Sequence, residues 1–244
     1  MKEQLQIFGI RAVMEAVHSG KSIDKVFIQK GLRGQLIHQL EKLLREEGIS
    51  CSYVPIEKLD RLSKQNHQGV VARISPVTFQ SLDDVITKAL DGEKTPLFII
   101  LDQVSDVRNF GAMVRTAECT GVQGIIVPKS GGASISGDTI KTSAGAIFKV
   151  PICKVDHIKD AIYYLQSSGI KIVAATEKTN KLIYDVDFTK PTALIMGSEE
   201  KGIASSVLKL VDECVKLPLM GEIESLNVSV ACGAVLYEIV RQRL

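Results

Sequence analysis

The sequence lacks the features that mark several common classes of protein. No apolar run approaches the roughly 20 residues that a membrane-spanning helix needs. The first residues, MKEQLQIFGIRAV, lack the long apolar core and cleavage site of a signal peptide. The five cysteines are scattered and form no C-x-x-C pair, which favours small buried side chains over disulfides. We therefore expect a cytoplasmic protein.

Metal-binding and nucleotide-binding signatures are also missing. The four histidines are dispersed, and no metal-ligand spacing is visible, so we expect no bound metal. No G-x-G-x-x-G follows a predicted strand, and no G-x-x-x-x-G-K-[ST] occurs anywhere. The glycine-rich stretch KSGGASISG, residues 129–137, lacks the placed lysine of a phosphate-binding loop. These absences argue against an ordinary NAD domain and against an NTPase.

Charge is nearly balanced over the whole chain but unevenly distributed along it. Residues 1–75 carry twelve Lys and Arg against eight Asp and Glu, a net of +4, whereas residues 76–244 carry eighteen against twenty, a net of −2. A mildly basic N-terminal region fits a contact with nucleic acid. Chance variation in a solvated surface explains the same imbalance equally well.

Residues 1–75 alternate strand and helix patterns and predict a small α/β domain. The segments 25–30, 49–55 and 69–74 are typical of strands, and residues 34–48 place apolar side chains at helical spacing before Gly48. The segment 76–95 carries proline at its start and polar punctuation along its length, so we interpret it as a linker with a short helix at 81–90.

A second pattern of apolar strand runs separated by helical segments fills residues 96–244. The runs are LFIIL, GIIVP, KVPI, KIVAA, TALIMG and CVKLP. Continuous apolar strands of this kind predict a mostly parallel α/β sheet with both faces covered. Ligands of such sheets bind at the carboxyl ends of the strands, so the polar residues that follow each strand are the candidates for function.

The loop after LFIIL carries Asp106 and Asn109 and leads into a helix with Arg115. A structural interpretation has Asp106 or Asn109 as the helix cap and Arg115 paired with Glu118 at i+3. Asn109 and Arg115 would not share a face of a regular helix. A joint role therefore requires Asn109 in the loop or at the cap.

Two further loops follow TALIM and the strand that ends near Leu217. Residues 197–202 combine glycines, which permit close approach of a ligand to the backbone, with acidic side chains. An ordinary turn with Ser198 or Glu199 near a helix cap is the alternative. In the last loop we expect Ser225 to cap the C-terminal helix. The small residues 231–234 would let that helix pack closely against another backbone.

These three loops resemble the three signature motifs of the SpoU (TrmH-type) RNA ribose 2′-O-methyltransferases. The matching stretches are D-Q-V-S-D-V-R-N-F-G-A-M-V-R at 102–115, G-S-E-E-K-G at 197–202 and L-P-L-M-G-E-I-E-S-L-N-V-S-V-A at 217–231. They occur in the family's order. The stretches FGIRAV and HQGVVAR in the N-terminal region also resemble those of family members that have an auxiliary domain. The resemblance is strongest to the branch that methylates a guanosine ribose in 23S ribosomal RNA, and transfer-RNA methylating relatives are similar.

The resemblance implies a parallel α/β catalytic domain with a C-terminal deep trefoil knot, a rare exception to the rule that chains are unknotted. It implies S-adenosylmethionine as cofactor, RNA as substrate and a homodimer as the assembly. It divides the chain into a ribosomal-protein-like RNA-binding domain at 1–75, a linker at 76–95 and the knotted domain at 96–244.

The resemblance also assigns roles to residues. The positions matching catalytic or substrate-contacting residues are Arg115, Asn109, Glu199, Ser225 and Asn227, and those expected to bind the cofactor are Gly197, Leu217, Leu226, Met196 and Leu219. Two positions depart from the motifs. Val107 replaces a proline and removes a fixed φ, and Glu200 replaces a glycine and adds a charge to the second loop.

Two mechanisms for Arg115 are open. Proposals for the family give this position the role of a base, but a free arginine titrates near 12.5, so deprotonating one at pH 7 costs roughly 7 kcal/mol. A cation that grips phosphate and stabilises developing alkoxide charge needs no such cost, and we favour it. From other functional classes, an RNA-binding assembly factor without catalysis and a nucleotide-dependent oxidoreductase are the alternatives. The intact motif residues argue against the first and the missing glycine motif against the second.

Overall fold

The computed structural model describes residues 6–244. The chain divides into two compact units, one reaching Thr78 and including Ile135–Gly137, the other formed by Phe79–Ser134 and Asp138–Leu244. Residues 1–5 of the predicted N-terminal domain lie outside the described part.

From residue 6 onwards, the first unit is a four-stranded sheet with three helices. The strands are β1 (Gln6–Phe8), β2 (Ile23–Gln29), β3 (Cys51–Val54) and β4 (Val70–Ile74), in the order β1-β4-β2-β3. β2 and β3 are parallel, and β4 pairs antiparallel with both β1 and β2. The helices are α1 (Ile10–His18), α2 (Gln35–Glu46) and α3 (Ile56–Leu62). The predicted strands and the helix between the first two are confirmed.

The two faces of this sheet carry different side chains because neighbouring residues of a strand point in opposite directions. Val26 and Ile28 of β2 pack with buried residues of α1 and α2, among them Val13 and Leu40. Phe27 points to the other face, where it meets a smaller cluster that includes Leu59 of α3. Helices α1 and α2 therefore line one face and α3 lines part of the other.

The second unit is a six-stranded sheet in which every pair of neighbouring strands is parallel. The strands are β5 (Leu97–Leu101), β6 (Gly124–Pro128), β7 (Ile152–Val155), β8 (Lys171–Ala175), β9 (Thr192–Met196) and β10 (Glu213–Val215), in the order β10-β8-β9-β5-β6-β7. The helices are α4 (Leu82–Leu90), α5 (Val107–Cys119), α6 (Gly137–Thr142), α7 (Ile158–Ser167), α8 (Ser205–Leu208) and α9 (Val228–Arg243). The prediction of a parallel α/β sheet is confirmed.

Two of the predicted strands have different bounds in the structure. The run KVPI predicts a strand at 149–152, but β7 begins at Ile152, directly after Pro151. The run CVKLP predicts a strand that reaches Pro218, but β10 ends at Val215. Proline has no N–H to donate to a ladder, so Pro151 lies outside β7. After Val215, the backbone of Lys216 bonds Lys181 and Ile183.

Helix α4 lies within the segment interpreted as a linker, and it is part of the core of the second unit. Its Val85, Ile86 and Ala89 are buried against strand residues such as Phe98 and Ile126. The helix predicted at 81–90 is confirmed. It packs against the core of the second unit through apolar side chains. Among residues 6–244 no helix has the length and apolar character to cross a bilayer.

The five cysteines differ in exposure, and Cys214 is intermediate between the buried and the exposed ones. Cys153 and Cys232 are buried, and burial raises the pKa of each thiol to about 12, so both remain protonated small apolar side chains. Cys51 and Cys119 are exposed, and only two of the five cysteines are buried, so the expectation that most of them are buried is wrong.

Candidate active site

The first polar loop ends in the N-terminus of α5. The Asp106 side chain caps this helix, since its Oδ1 accepts hydrogen bonds from the N–H groups of Arg108 (2.9 Å) and Asn109 (2.8 Å). Asn109 therefore lies within the first turn rather than in the loop. The helix starts at Val107, so the proline that the family motif has at this position is not needed for its formation.

The third polar loop ends in the N-terminus of α9, where the cap is Asn227. Its Oδ1 accepts from the N–H groups of Ser229 (2.9 Å) and Val230 (3.3 Å) and from the Ser229 hydroxyl (2.6 Å). The prediction that Ser225 caps this helix is wrong. Asparagine and serine cap almost equally well, and Asn227 is the one next to Val228, the first helical residue and a buried one.

Asn227 also connects the three motifs. Its Nδ2 donates to Oδ1 of Asn109 at 3.0 Å and to the carboxylate of Glu199. Asn109 follows β5, Glu199 follows β9 and Asn227 follows β10. The carboxyl ends of these parallel strands thus bring together one side chain from each motif, which we call the polar corner.

Arg115 has different surroundings from the polar corner. It is exposed on α5, and it has no hydrogen bond or ion pair with any residue of 6–244. The predicted pair with Glu118 is wrong, because Glu118 binds Lys149 at 3.2 Å. Since Asn109 lies inside the helix and bonds Asn227, it does not orient Arg115.

A cleft with a volume of about 960 Å³ opens beside the polar corner. It is lined by the segments that follow β8, β9 and β10. Predicted site residues among its lining are Met196, Gly197, Glu199, Leu217, Leu219, Ser225, Leu226 and Asn227. Asn109 and Arg115 are not in the lining, although Asn109 adjoins it through Asn227.

One wall of the cleft was not predicted. Ala175 at the end of β8, and residues 176–178 and Leu182 after it, line the cleft together with the motif loops. The signal was present, because Thr176, Glu177 and Lys178 directly follow the apolar run KIVAA. The rule that polar residues after strands of a parallel sheet form the site would have found them.

The second motif loop is folded tightly against the end of β9. Ser198 and Gly202 exchange two backbone hydrogen bonds, of 3.2 and 2.9 Å. A Cβ at Gly197 would lie 2.2 Å from the carbonyl carbon of Gly202, so only glycine fits there. Asp102 at the end of β5 accepts from the N–H of Ala204 at 2.8 Å and holds the far end of the loop.

Charged side chains of both signs line the cleft. The acidic ones are Glu177, Glu199, Glu200 and Glu224, and the basic ones are Lys178, Lys201 and Lys216. Apolar contact comes from the side chains of Leu182, Met196, Leu217 and Leu226. A ligand with an apolar body and charges of both signs matches this lining.

Comparison with known proteins identifies the family. Residues 96–237 match the model of the SpoU rRNA methylase family. The chain belongs to this family. Residues 6–80 match the model for RNA 2′-O ribose methyltransferase substrate binding. The resemblance inferred from the motifs is confirmed. The chain is a member of the SpoU family of RNA 2′-O-ribose methyltransferases.

Curated relatives cover nearly the whole SpoU chain. A Bacillus subtilis (strain 168) protein assigned to the TrmH family of tRNA/rRNA methyltransferases, YacO, is 34% identical over 238 residues, which are 97% of this chain and 95% of that protein. A protein of Staphylococcus haemolyticus (strain JCSC1435), assigned to the same family, is 36% identical over 242 residues, covering 99% and 97%.

Solved structures show the same fold. The SpoU methyltransferase AviRb from Streptomyces viridochromogenes, in complex with the cofactor AdoMet, matches with a TM-score of 0.63 and 25% identity over 98% of this chain and 90% of that one. The A. aeolicus TrmH/SpoU tRNA modifying enzyme matches with a TM-score of 0.57 and 32% identity, covering 66% and 82%.

Proposed function

We propose that this SpoU family member transfers a methyl group from S-adenosylmethionine to the ribose 2′-hydroxyl of a guanosine in 23S ribosomal RNA. The observation that carries the proposal is the polar corner. Asn227 binds Asn109 and Glu199, so all three motifs meet at one edge of the sheet beside a cleft of cofactor size.

The cleft fits S-adenosylmethionine by size and by lining. Its volume lies at the upper end of the range of about 300–1,000 Å³ for small-molecule sites. Gly197 lies in the lining and lets the second loop fold back on itself, and Leu217, Leu226, Met196 and Leu219 supply apolar contact. When bound, the cofactor supplies an activated methyl group on its sulfonium. The AdoMet complex of AviRb supports this assignment.

We assign positioning to Asn227 and substrate contact to its two partners. Asn227 uses its oxygen to cap α9 and its amide to bind Asn109 and Glu199, so its hydrogen-bonding capacity is occupied. Within residues 6–244, no partner engages the side-chain N–H groups of Asn109 or the second carboxylate oxygen of Glu199. These groups are placed to orient a ribose, and Ser225 completes the polar lining.

We assign electrostatic stabilisation to Arg115. The transfer requires the 2′-hydroxyl to release its proton to solvent water as its oxygen bonds the methyl carbon, so negative charge develops on the ribose oxygen. A guanidinium without an internal partner is available to bind an RNA phosphate and to stabilise that charge.

The assembly and the chain topology are part of the same proposal. We infer a homodimer because apolar side chains of the third loop and of α9 are exposed, namely Leu219, Met220, Ile223, Val230 and Tyr237. We infer a C-terminal trefoil knot in residues 96–244 from membership of the family. Residues 1–75 would bind RNA, as the match to a substrate-binding model supports, and residues 76–95 would connect the two domains.

Ribosomal RNA is the substrate that we favour, and transfer RNA is the second candidate. The family that matches residues 96–237 is described as a family of rRNA methylases. The A. aeolicus structure is that of a tRNA modifying enzyme, which supports the alternative. Both candidates share the chemistry and the site.

Mapping of 2′-O-methylation across ribosomal and transfer RNA, in cells with and without the protein, tests the proposal. We expect one guanosine of 23S RNA to lose its methyl group without the protein and to regain it with the wild-type gene but not with Arg115→Ala. A change confined to transfer RNA would establish the second candidate. If calorimetry detects no binding of S-adenosylmethionine and no site changes, the non-catalytic assembly factor is the better description.

A further inference from the structure

Three cations of the first unit converge on one aromatic ring. The Nζ atoms of Lys25 and Lys58 each lie 5.8 Å from the centroid of the Phe27 ring, and the guanidinium carbon of Arg73 lies 5.9 Å from it. Lys25 and Phe27 belong to β2, Arg73 to β4 and Lys58 to α3. We call this group the Phe27 surface.

The Phe27 surface lies on the sheet face opposite α1 and α2. Lys25 and Phe27 are two residues apart on β2, so their side chains share a face, and Arg73 is the register partner of Lys25 on β4. Helix α3 covers part of this face through Leu59 and contributes Lys58 at its edge. Lys58 is exposed, and Lys25 and Arg73 are half-buried.

The charges of this surface are only partly compensated. Asp24, whose side chain is 6% exposed, accepts from Nε and Nη2 of Arg73 at 2.7 and 2.6 Å. Lys25 and Lys58 have no ion pair or hydrogen bond with any residue of 6–244. Charges this close lie within or near the screening length of about 8 Å at physiological ionic strength, so their repulsion opposes folding. A bound polyanion would offset it.

The burial of the Phe27 ring determines which part of a nucleic acid can bind at this surface. Phe27 is 8% exposed, so no base can stack on its face. Its role is to hold the ammonium groups by cation–π attraction. Ammonium groups are point charges that bind phosphate without reading sequence.

We propose that the Phe27 surface binds the phosphate backbone of the RNA substrate, independently of sequence. The inference rests on the proposed function for its ligand class. It names a surface and a mode of contact that the family assignment does not supply.

The double variant Lys25→Ala/Lys58→Ala tests this inference. The control is Lys42→Ala/Arg45→Ala, which removes the same charge from exposed positions of α2, the helix on the opposite face. Binding of an unmodified 23S RNA transcript and of a mixed-sequence single-stranded RNA would be titrated at several salt concentrations. For each RNA phosphate that the variant no longer neutralises, the slope of log affinity against log salt should fall by about 0.7.

We expect the Lys25/Lys58 variant to bind both RNAs about tenfold more weakly, with a slope reduced by about 1.4, and the control to change affinity less than twofold. Equal effects of the two doubles, or an unchanged slope, would overturn the proposal. The melting temperature should not fall below that of the wild type, because removal of two like charges relieves their repulsion. Calorimetric binding of S-adenosylmethionine should match the wild type, which would show that the variant is folded. Absence of methyl transfer by the wild type would refute the proposed function while leaving these binding results to be judged separately.

Discussion

Asn109 and Arg115 lie on the same helix, within the same motif, yet in opposite physical situations. Asn109 is held by Asn227, which is itself fixed by capping α9 and by binding Glu199. Arg115 is exposed and has no partner within residues 6–244. The first position is organised before any substrate arrives, whereas the second must be ordered by its ligand, which costs up to about 2 kcal/mol of side-chain entropy.

This difference separates two kinds of contribution. Changes in the polar corner should affect folding and chemistry together, because the same hydrogen bonds cap a helix and orient the site. Changes at Arg115 should affect chemistry alone, because no residue between 6 and 244 pairs with its charge. Variants of the two regions can therefore break or sharpen the comparison.

The largest effect is expected from Arg115→Ala. Loss of one group that stabilises developing charge typically lowers the rate by about 10²–10³-fold, and we expect methyl transfer to fall by this amount. Stability should change by less than about 0.5 kcal/mol, because the side chain is exposed. Single-turnover transfer of a labelled methyl group, thermal melting and calorimetric binding of S-adenosylmethionine measure the three quantities.

The matched control at this position is Arg115→Lys. It retains the charge but not the planar fork that binds two phosphate oxygens, so its activity should lie between alanine and wild type. Full activity of Arg115→Ala would show that the arginine has no role in transfer. A large loss of stability would show that it is as much a structural residue as Asn109.

Gly197→Ala should have the next largest effect. The added Cβ would lie 2.2 and 2.3 Å from backbone atoms of Gly202 and Ile203, so the second loop must move. Forcing atoms into a packed site costs typically about 1–3 kcal/mol. We expect a comparable loss of stability and a tenfold or greater loss of cofactor affinity by calorimetry. Gly221→Ala, in the third loop and with open space around it, is the control and should be close to wild type.

Asn227→Ala should show the double effect that defines the polar corner. Loss of an N-cap costs about 1 kcal/mol, which lowers the melting temperature by roughly 2–4 °C in a chain of this size. Methyl transfer should fall about tenfold, because Asn109 and Glu199 lose their shared donor. Circular dichroism melts and transfer assays on the same preparation provide both readouts.

Asn227→Asp separates the two parts of that effect. Aspartate caps a helix as well as asparagine does, but it has no N–H to donate and places a second carboxylate beside Glu199. We expect stability to recover at least in part while transfer stays low. If both quantities return to wild-type values, the amide of Asn227 does not organise the site.

The strands and the three loops could be predicted from the sequence for a physical reason. Strands buried on both faces must be continuously apolar, so runs such as LFIIL and TALIM are visible in the sequence. The parallel arrangement then places the residues that follow them at one edge. Leu217, Leu226 and Gly197 line the cleft for this reason.

The hydrogen-bond and ion-pair partners of the site residues could not be predicted from the sequence in the same way. Ser225 and Asn227 are equally good caps by residue type, and only the folded loop decides between them. Glu118 binds Lys149, which lies 31 residues away, rather than Arg115 at i+3. The direction of the Asn227 amide towards Asn109, across 118 residues of chain, likewise depends on the assembled sheet. Local spacing predicts which residues meet at an edge, but not which atoms bond there.

The smallest effect, and the finest test of the comparison, is expected from Ser225→Ala set against Ser229→Ala. Ser225 lines the cleft but caps nothing, so its loss should leave stability within about 0.5 kcal/mol and raise the KM for RNA or cofactor a few-fold at most. Ser229 donates to Asn227 at 2.6 Å and is absent from the lining, so its loss should cost about 0.5–1.5 kcal/mol of stability with little change in KM. Melts and steady-state kinetics on the two variants would show opposite patterns. Matching patterns would mean that helix capping and substrate contact are not divided between these serines, and that the polar corner extends along the whole third loop.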